Sequence, residues 1–160
     1  MDSQMLVFEK DSKKFNCRAV AVIIHQNKIL LHQIADNPYW SLPGGRVEFM
    51  ESAAETVVRE IKEELEVDCK VLRSLWVMEN FFNYNEKQVH EIAFYFLVNC
   101  PDELITRGQD FLNYEDGVKL HFRWVPLDSI SQVELYPSFL KSALNDLPSS
   151  LEHIVHYGNR

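Results

Sequence analysis

Cationic side chains are in short supply: 16 lysines and arginines face 24 aspartates and glutamates, for a formal net charge of −8. A surface of that sign repels long polyanions and disfavours bulk nucleic acid as a partner. Cysteine is sparser still, with three residues, Cys17, Cys69 and Cys100, in no Cys-x-x-Cys spacing. An odd, scattered set argues against a disulfide frame or a thiolate zinc site and reads as reduced thiols of a cytoplasmic protein. No run nears the roughly 18 unbroken apolar residues of a membrane-spanning helix. Met1-Asp2-Ser3-Gln4 lacks the basic-then-apolar start of a secretory signal. Repeats, low-complexity tracts and Gly/Ser linkers are also missing, so residues 1–160 read as a single domain.

What is present alternates between strand and helix signals. Arg18–His25 is a β-branched run that turns at Gln26-Asn27 and returns as Lys28–Ile34, the pattern of a hairpin. Pro38 and the Pro43-Gly44-Gly45 triplet mark loops. Ser52 with Glu55 forms a capping box that starts a helix over Ala53–Leu65. Strands are expected at Cys69–Met78, His90–Asn99 and His121–Val125, a long loop over 101–117, and closing helices at Ser138–Asn145 and Ser149–His156. Strands on both sides of a central helix indicate an α/β layered domain.

The chemistry concentrates in the central helix. At 3.6 residues per turn, Ala54, Val57, Val58, Ile61 and Leu65 share an apolar stripe. Glu60, Glu63 and Glu64 fall beside it at i, i+3 and i+4, where like charges repel by a few tenths of a kcal/mol per pair. Arg59 reaches Glu63 one turn on and relieves one carboxylate at most. A Glu-rich helix alone reads as a solvated, salt-bridged surface. Following a glycine turn whose backbone admits close approach, the cluster instead suits a hard, oxygen-seeking cation such as Mg²⁺.

Gly45, Glu51, Arg59, Glu60, Ile61, Glu63, Glu64 and Val67 stand at the spacings of the Nudix hydrolase signature, which this segment resembles. Trp40-Ser-Leu-Pro43-Gly44 is similar to the family's lead-in, and Phe122-Arg-Trp124 to a later strand. The family's glycine after the paired glutamates is Glu66 here, which predicts either a strained helix exit or a different turn at 65–67.

The resemblance implies an α/β/α sandwich with a central mixed sheet. It also implies a Mg²⁺-dependent hydrolase, with Mn²⁺ as a substitute cation, in which water attacks phosphorus in a diphosphate linkage of a nucleoside diphosphate derivative. The partner would be a small nucleotide-like molecule, and the chain a possible homodimer, as relatives commonly are. By resemblance Glu60, Glu64, Glu63 and the Gly44 carbonyl are the expected metal ligands, while Glu51 and Arg59 brace loop against helix. Glu63 is the favoured general base, with Glu91, Glu103, Glu115 and Asp116 as later candidates. Tyr39, Phe82 and Tyr84 are expected to stack on the nucleotide, although packing alone also explains aromatics at these places. Phe81 adjoins Phe82, so in a strand the two would face opposite sides. A catalytically silent, nucleotide-binding sensor of the same fold is the alternative; it would be expected to lack one of the paired glutamates, and both are here.

Overall fold

The computed structural model describes residues 4–158; Met1, Asp2 and Ser3 at the N-terminus lie outside the described residues. Val7–Lys10 (β1), Lys13–Val22 (β2), Gly44–Arg46 (β5), Lys70–Tyr84 (β6), Lys87–Asn99 (β7) and Glu152–Tyr157 (β10) form one sheet. Its order is β1-β2-β7-β6-β10, with β5 on β2. The sheet is mixed: β2 runs parallel to β7 and β10 parallel to β6, whereas the other pairs are antiparallel. Ile24–His25 (β3), Lys28–Ile34 (β4), Asp110–Glu115 (β8) and Val118–Pro126 (β9) form a second, antiparallel sheet in the order β3-β4-β9-β8.

Both sheets feed two apolar cores. On one side Val57, Ile61 and Leu65 of the helix Ala53–Leu65 (α1) pack with Ala19, Ala21, Leu30, Phe96 and Phe122. On the other, Val20, Val22, Leu31, Trp76 and Met78 meet Ile130 and the single turn Leu140–Ala143 (α2). Helix, mixed sheet and short helical turns thus stack as the expected α/β sandwich. No helix among the described residues is long and apolar enough to cross a membrane.

Several expected elements differ. The run 18–25 is divided between the two sheets, because β2 ends at Val22 and the chain re-enters as β3. Gln26 and Asn27 do form the tight turn, both with positive φ. Residues 79–90 are the closed end of the β6–β7 hairpin, turning at Asn85-Glu86 with φ of 50° and 64°. The segment 101–117 is not a loop: a 3₁₀ turn at Asp102–Arg107 leads into β8, which pairs with β9 through Asp116-Gly117. Asp-Gly between alternating residues is a strong hairpin signal that the loop reading overlooked.

The expected last helix is strand β10, whose Ile154 and His156 face inward and which completes the open edge of β6. Its β-branched, alternating residues prefer that pleated edge to an isolated two-turn helix. The helix foreseen over Ser138–Asn145 shortens to one turn. In α1 itself Val58 is exposed, and Thr56, Glu60 and Glu64 are buried in its stead.

Candidate active site

The capping box forms as read: Ser52 Oγ accepts from the Glu55 amide, and the Glu55 carboxylate accepts from the Ser52 amide. It fixes where α1 begins, and so where its acidic flank points. At the other end Glu66 takes the left-handed conformation (φ 58°, ψ 31°), its amide donating to the Lys62 carbonyl at 3.0 Å. The family's turn is therefore kept without its glycine, through the strained exit.

Immediately before α1, β5 lies antiparallel on β2. A Cβ on Gly45 would stand 2.2 to 2.6 Å from the Glu60 carboxyl atoms, so only glycine lets that carboxylate rest on the strand. At Gly44 a Cβ would meet the Ala19 carbonyl oxygen at 2.3 Å. The two glycines thus answer different contacts, one to the sheet and one to the acidic helix.

Arg59 is the hub beneath this turn. Its Nε donates to Glu51 Oε2 at 2.8 Å and its Nη2 to Glu51 Oε1 at 3.0 Å, a bidentate pair. Nη2 also donates to the Arg46 carbonyl at 3.1 Å, and Nη1 to Glu60 Oε1 at 2.8 Å. Nη1 reaches Glu63 at 3.3 Å. Thr56 Oγ1 adds a 2.6 Å hydrogen bond to Glu51. The Arg59 hydrogen bonds hold the Glu51 carboxyl down at about 2, and Glu51 in turn raises the guanidinium.

Glu60 and Glu64 are 8% and 5% exposed. Burial first, and then the Glu64 charge, push the Glu60 carboxyl up to about 7 against the pull of Arg59. From the second sheet, Asn113 Nδ2 donates to the Glu64 carbonyl, tying β8 to the helix end. Two residues on, Glu115 joins the cluster: ligand oxygens of Glu60, Glu63 and Glu115 lie within 4.8 Å of one another. Burial and the charges of Glu64 and Glu63 push Glu115 up to about 7 as well. Burial, and after it the neighbouring carboxylates, disfavour the charged form of both groups, and the all-oxygen donor set fits a hard divalent cation. Behind Glu64, the fully buried His32 places Nδ1 3.6 Å from Glu64 Oε2.

On the far side of β5 opens a cavity of about 290 Å³. Tyr39, Phe82 and Tyr84 all line it, and the hydroxyls of Tyr39 and Tyr84 are 3.1 Å apart. Its polar lining, which sequence reasoning did not assign, includes Arg18 and Arg46, cross-strand partners on β2 and β5. Asn80 and Glu91, register partners on β6 and β7, are buried in its wall. Asn16 Nδ2 donates to Glu91 at 2.7 Å, and the side-chain Oδ1 of Asn80 lies 3.0 Å from His156 Nδ1. The only advance signal was period-two alternation, which sends Asn80 and Phe82 to one face and Phe81 to the other.

The remaining candidates disperse. Glu91 belongs to the cavity and not to the acidic cluster, and Glu103 is exposed on the 3₁₀ turn. Asp116 sits at the β8–β9 turn with φ of 50°. His90 stacks on Phe81 at 4.6 Å within a row of cross-strand rings, Phe8, Phe15, His90, Phe81 and Tyr157, on the sheet's other face. His153 and His156 of β10 meet adjacent residues of β6, His153 Nε2 lying 2.7 Å from Glu79 Oε2 and His156 Nδ1 3.0 Å from Asn80 Oδ1.

Comparison with known proteins agrees with this geometry. The chain is 35% identical over 117 residues to the ADP-ribose pyrophosphatase of Methanocaldococcus jannaschii, covering 68% of each. It is 28% identical over 147 residues to the 8-oxo-dGTP diphosphatase of Buchnera aphidicola, covering 89% of this chain and 92% of that one. Among solved structures, the MutT mutator protein of Bacillus halodurans shares the fold with a TM-score of 0.62 at 19% identity, over 89% of this chain and 90% of its own. A UDP-X diphosphatase gives 0.59 at 24% identity, and the chain spans 86% of itself but 62% of that protein. The NUDIX domain model matches residues 16–147, glycine turn and acidic helix included, and the chain belongs to the Nudix family of hydrolases, enzymes that act on acid anhydrides.

Proposed function

We propose that this protein hydrolyses the diphosphate linkage of a nucleoside diphosphate derivative with Mg²⁺, or Mn²⁺ in its place. The observation that carries the reading is the joining of two unlike sites by one short strand. Gly45 of β5 supports the acidic Glu60, while Arg46 lines the aromatic cavity and offers its carbonyl to Arg59. A nucleoside seated between Tyr39, Tyr84 and Phe82 would present its phosphates to Arg18 and Arg46 and, beyond them, to the carboxylates. Stacking on such rings is worth about 1–3 kcal/mol per base.

Glu60, Glu64, Glu63 and the Gly44 carbonyl would hold the cation, with Glu115 closing the cluster from β8. When bound, the cation supplies charge neutralisation at the diphosphate and a more acidic attacking water. Glu51 and Arg59 orient the helix against the turn. Glu63, the more exposed carboxylate, takes the proton of the water as its oxygen bonds to phosphorus and the bridging P–O bond breaks, the leaving phosphate carrying away the electron pair. The free thiols fit a cytoplasmic enzyme, and light scattering would test whether it assembles as a homodimer.

The relatives' names frame the assay: ADP-ribose and 8-oxo-dGTP head a panel of nucleoside diphosphate derivatives, scored by chromatography of the products with Mg²⁺ and with EDTA. Cleavage that requires the cation and falls by about 10²–10⁴-fold in Glu63→Gln supports the assignment. Tight nucleotide binding with no turnover anywhere in the panel would favour the sensor reading.

A further inference from the structure

His32 is the most conspicuous polar group that the proposed chemistry leaves unused. Its imidazole is 0% exposed, and neither Nδ1 nor Nε2 has a hydrogen-bond partner. Glu64 Oε2, equally buried, also has none. The two orphans face each other at 3.6 Å. That separation is a few tenths of an ångström beyond a hydrogen bond, whose N···O distance is about 2.7–3.2 Å.

The ring has little freedom to seek another partner. Its backbone is locked to Ser41 by two hydrogen bonds of 2.8 and 2.9 Å. In the ladder it pairs with Phe122, whose ring packs edge-on at 5.8 Å. A buried polar group with unmade hydrogen bonds destabilises a fold, and an apolar ring of the same shape would relieve the cost. A histidine here works against stability unless Glu64 needs it.

We propose that His32 is a positioning residue: its Nδ1–H closes onto Glu64 Oε2 and turns the other carboxylate oxygen toward the divalent cation. The inference rests on the cation site of the preceding section and adds the device that aims one of its ligands. Partners of this kind hold ligand geometry in metal sites, and their loss costs about 10–100-fold in affinity.

Two measurements test it, both on the full chain: Mn²⁺ affinity without substrate, from the EPR signal of the free ion, and thermal unfolding in EDTA. His32→Phe is expected to bind Mn²⁺ about 10–100-fold more weakly while unfolding at the same or a higher temperature. His32→Gln, which keeps an N–H donor, is expected to recover most of the affinity. If the Phe variant does not fold, His32→Leu takes its place. Native Mn²⁺ affinity in the apolar variant overturns the proposal, and so does a loss shared by the Gln variant together with a lowered melting temperature. Glu64→Gln separates this failure from that of the wider reading. If wild type takes up no Mn²⁺, or Glu64→Gln binds it as wild type does, the cation site itself is wrong and the role of His32 falls with it.

Discussion

Gly45 has room for a hydrogen and nothing larger, because the Glu60 carboxylate occupies the place of its side chain. Gly45→Ala should therefore push Glu60 off the strand while leaving the rest of the sheet intact. A displacement of about 1 Å at a reacting centre costs on the order of 10²-fold in rate. The expected outcome is a kcat lowered to that degree with an unchanged far-ultraviolet dichroism spectrum. The carboxyls make a second, opposed pair of expectations. Glu60 and Glu115, raised to about 7 in the fold, favour the native state while protonated. That stabilisation is complete below the ordinary glutamate value and is lost as pH rises through about 7. In EDTA the melting temperature should fall between about pH 5 and 8, and fall less in Glu115→Gln. Glu51 acts in the reverse sense: held at about 2, it stabilises above the ordinary value and gives this up as the solution is acidified toward 2. Helical spacing makes Glu60, Glu63 and Glu64 legible as one cluster, and the family resemblance adds Glu51 and Arg59 as the pair bracing it. His32 beside Glu64, and Arg18 and Asn80 in the cavity wall, come from separate strands, and nothing local in the chain announces where each will lie.

At the scale of the element, α1 shows which signals suffice. Its start was legible because the Ser52–Glu55 box acts within four residues, and its bounds, Ala53–Leu65, are those expected. Its exit carries Glu66 in a conformation that costs a side-chain-bearing residue roughly 1–2 kcal/mol. Because Glu66 is exposed, replacing it removes no packing. Glu66→Gly should raise stability by about 1 kcal/mol, after the greater backbone entropy of glycine is deducted, readable as a higher urea midpoint with an unchanged slope. Elements that depend on distant partners were misread. β8 has the alternation of a strand, but only the pairing of Phe111 with Phe122 and the tie from Asn113 to the end of α1 give it a place. The terminal segment 152–157 is decided by the vacancy beside β6, a property of the sheet and not of the segment.

For the whole molecule, strand β10 serves two purposes, since it covers the edge of the fifteen-residue β6 and lends His156 to the cavity wall. Truncation after Ser150 should bare a long, apolar edge that recruits other chains. Light scattering should report larger soluble oligomers than the full chain gives, or precipitate, and nucleotide affinity should drop even in whatever fraction keeps the size of the full-length protein. The broad architecture was legible because one helix between strand runs admits few layer arrangements. The division of ten strands between two sheets was not, because β2 finds its parallel partner β7 more than seventy positions later.

That remote pairing also bears on how the chain comes into being. Ribosomal synthesis delivers β1 and β2 long before β7 exists to receive them, and β6 waits on β10 after nearly everything else has emerged. A nascent chain halted before residue 152 carries at least one unsatisfied strand edge, so the hazard of misassociation lasts until β10 has emerged. Slow decoding of the codons for residues 152–157, or scarcity of a holdase chaperone, should lower the yield of this protein more than that of a helical one of equal length.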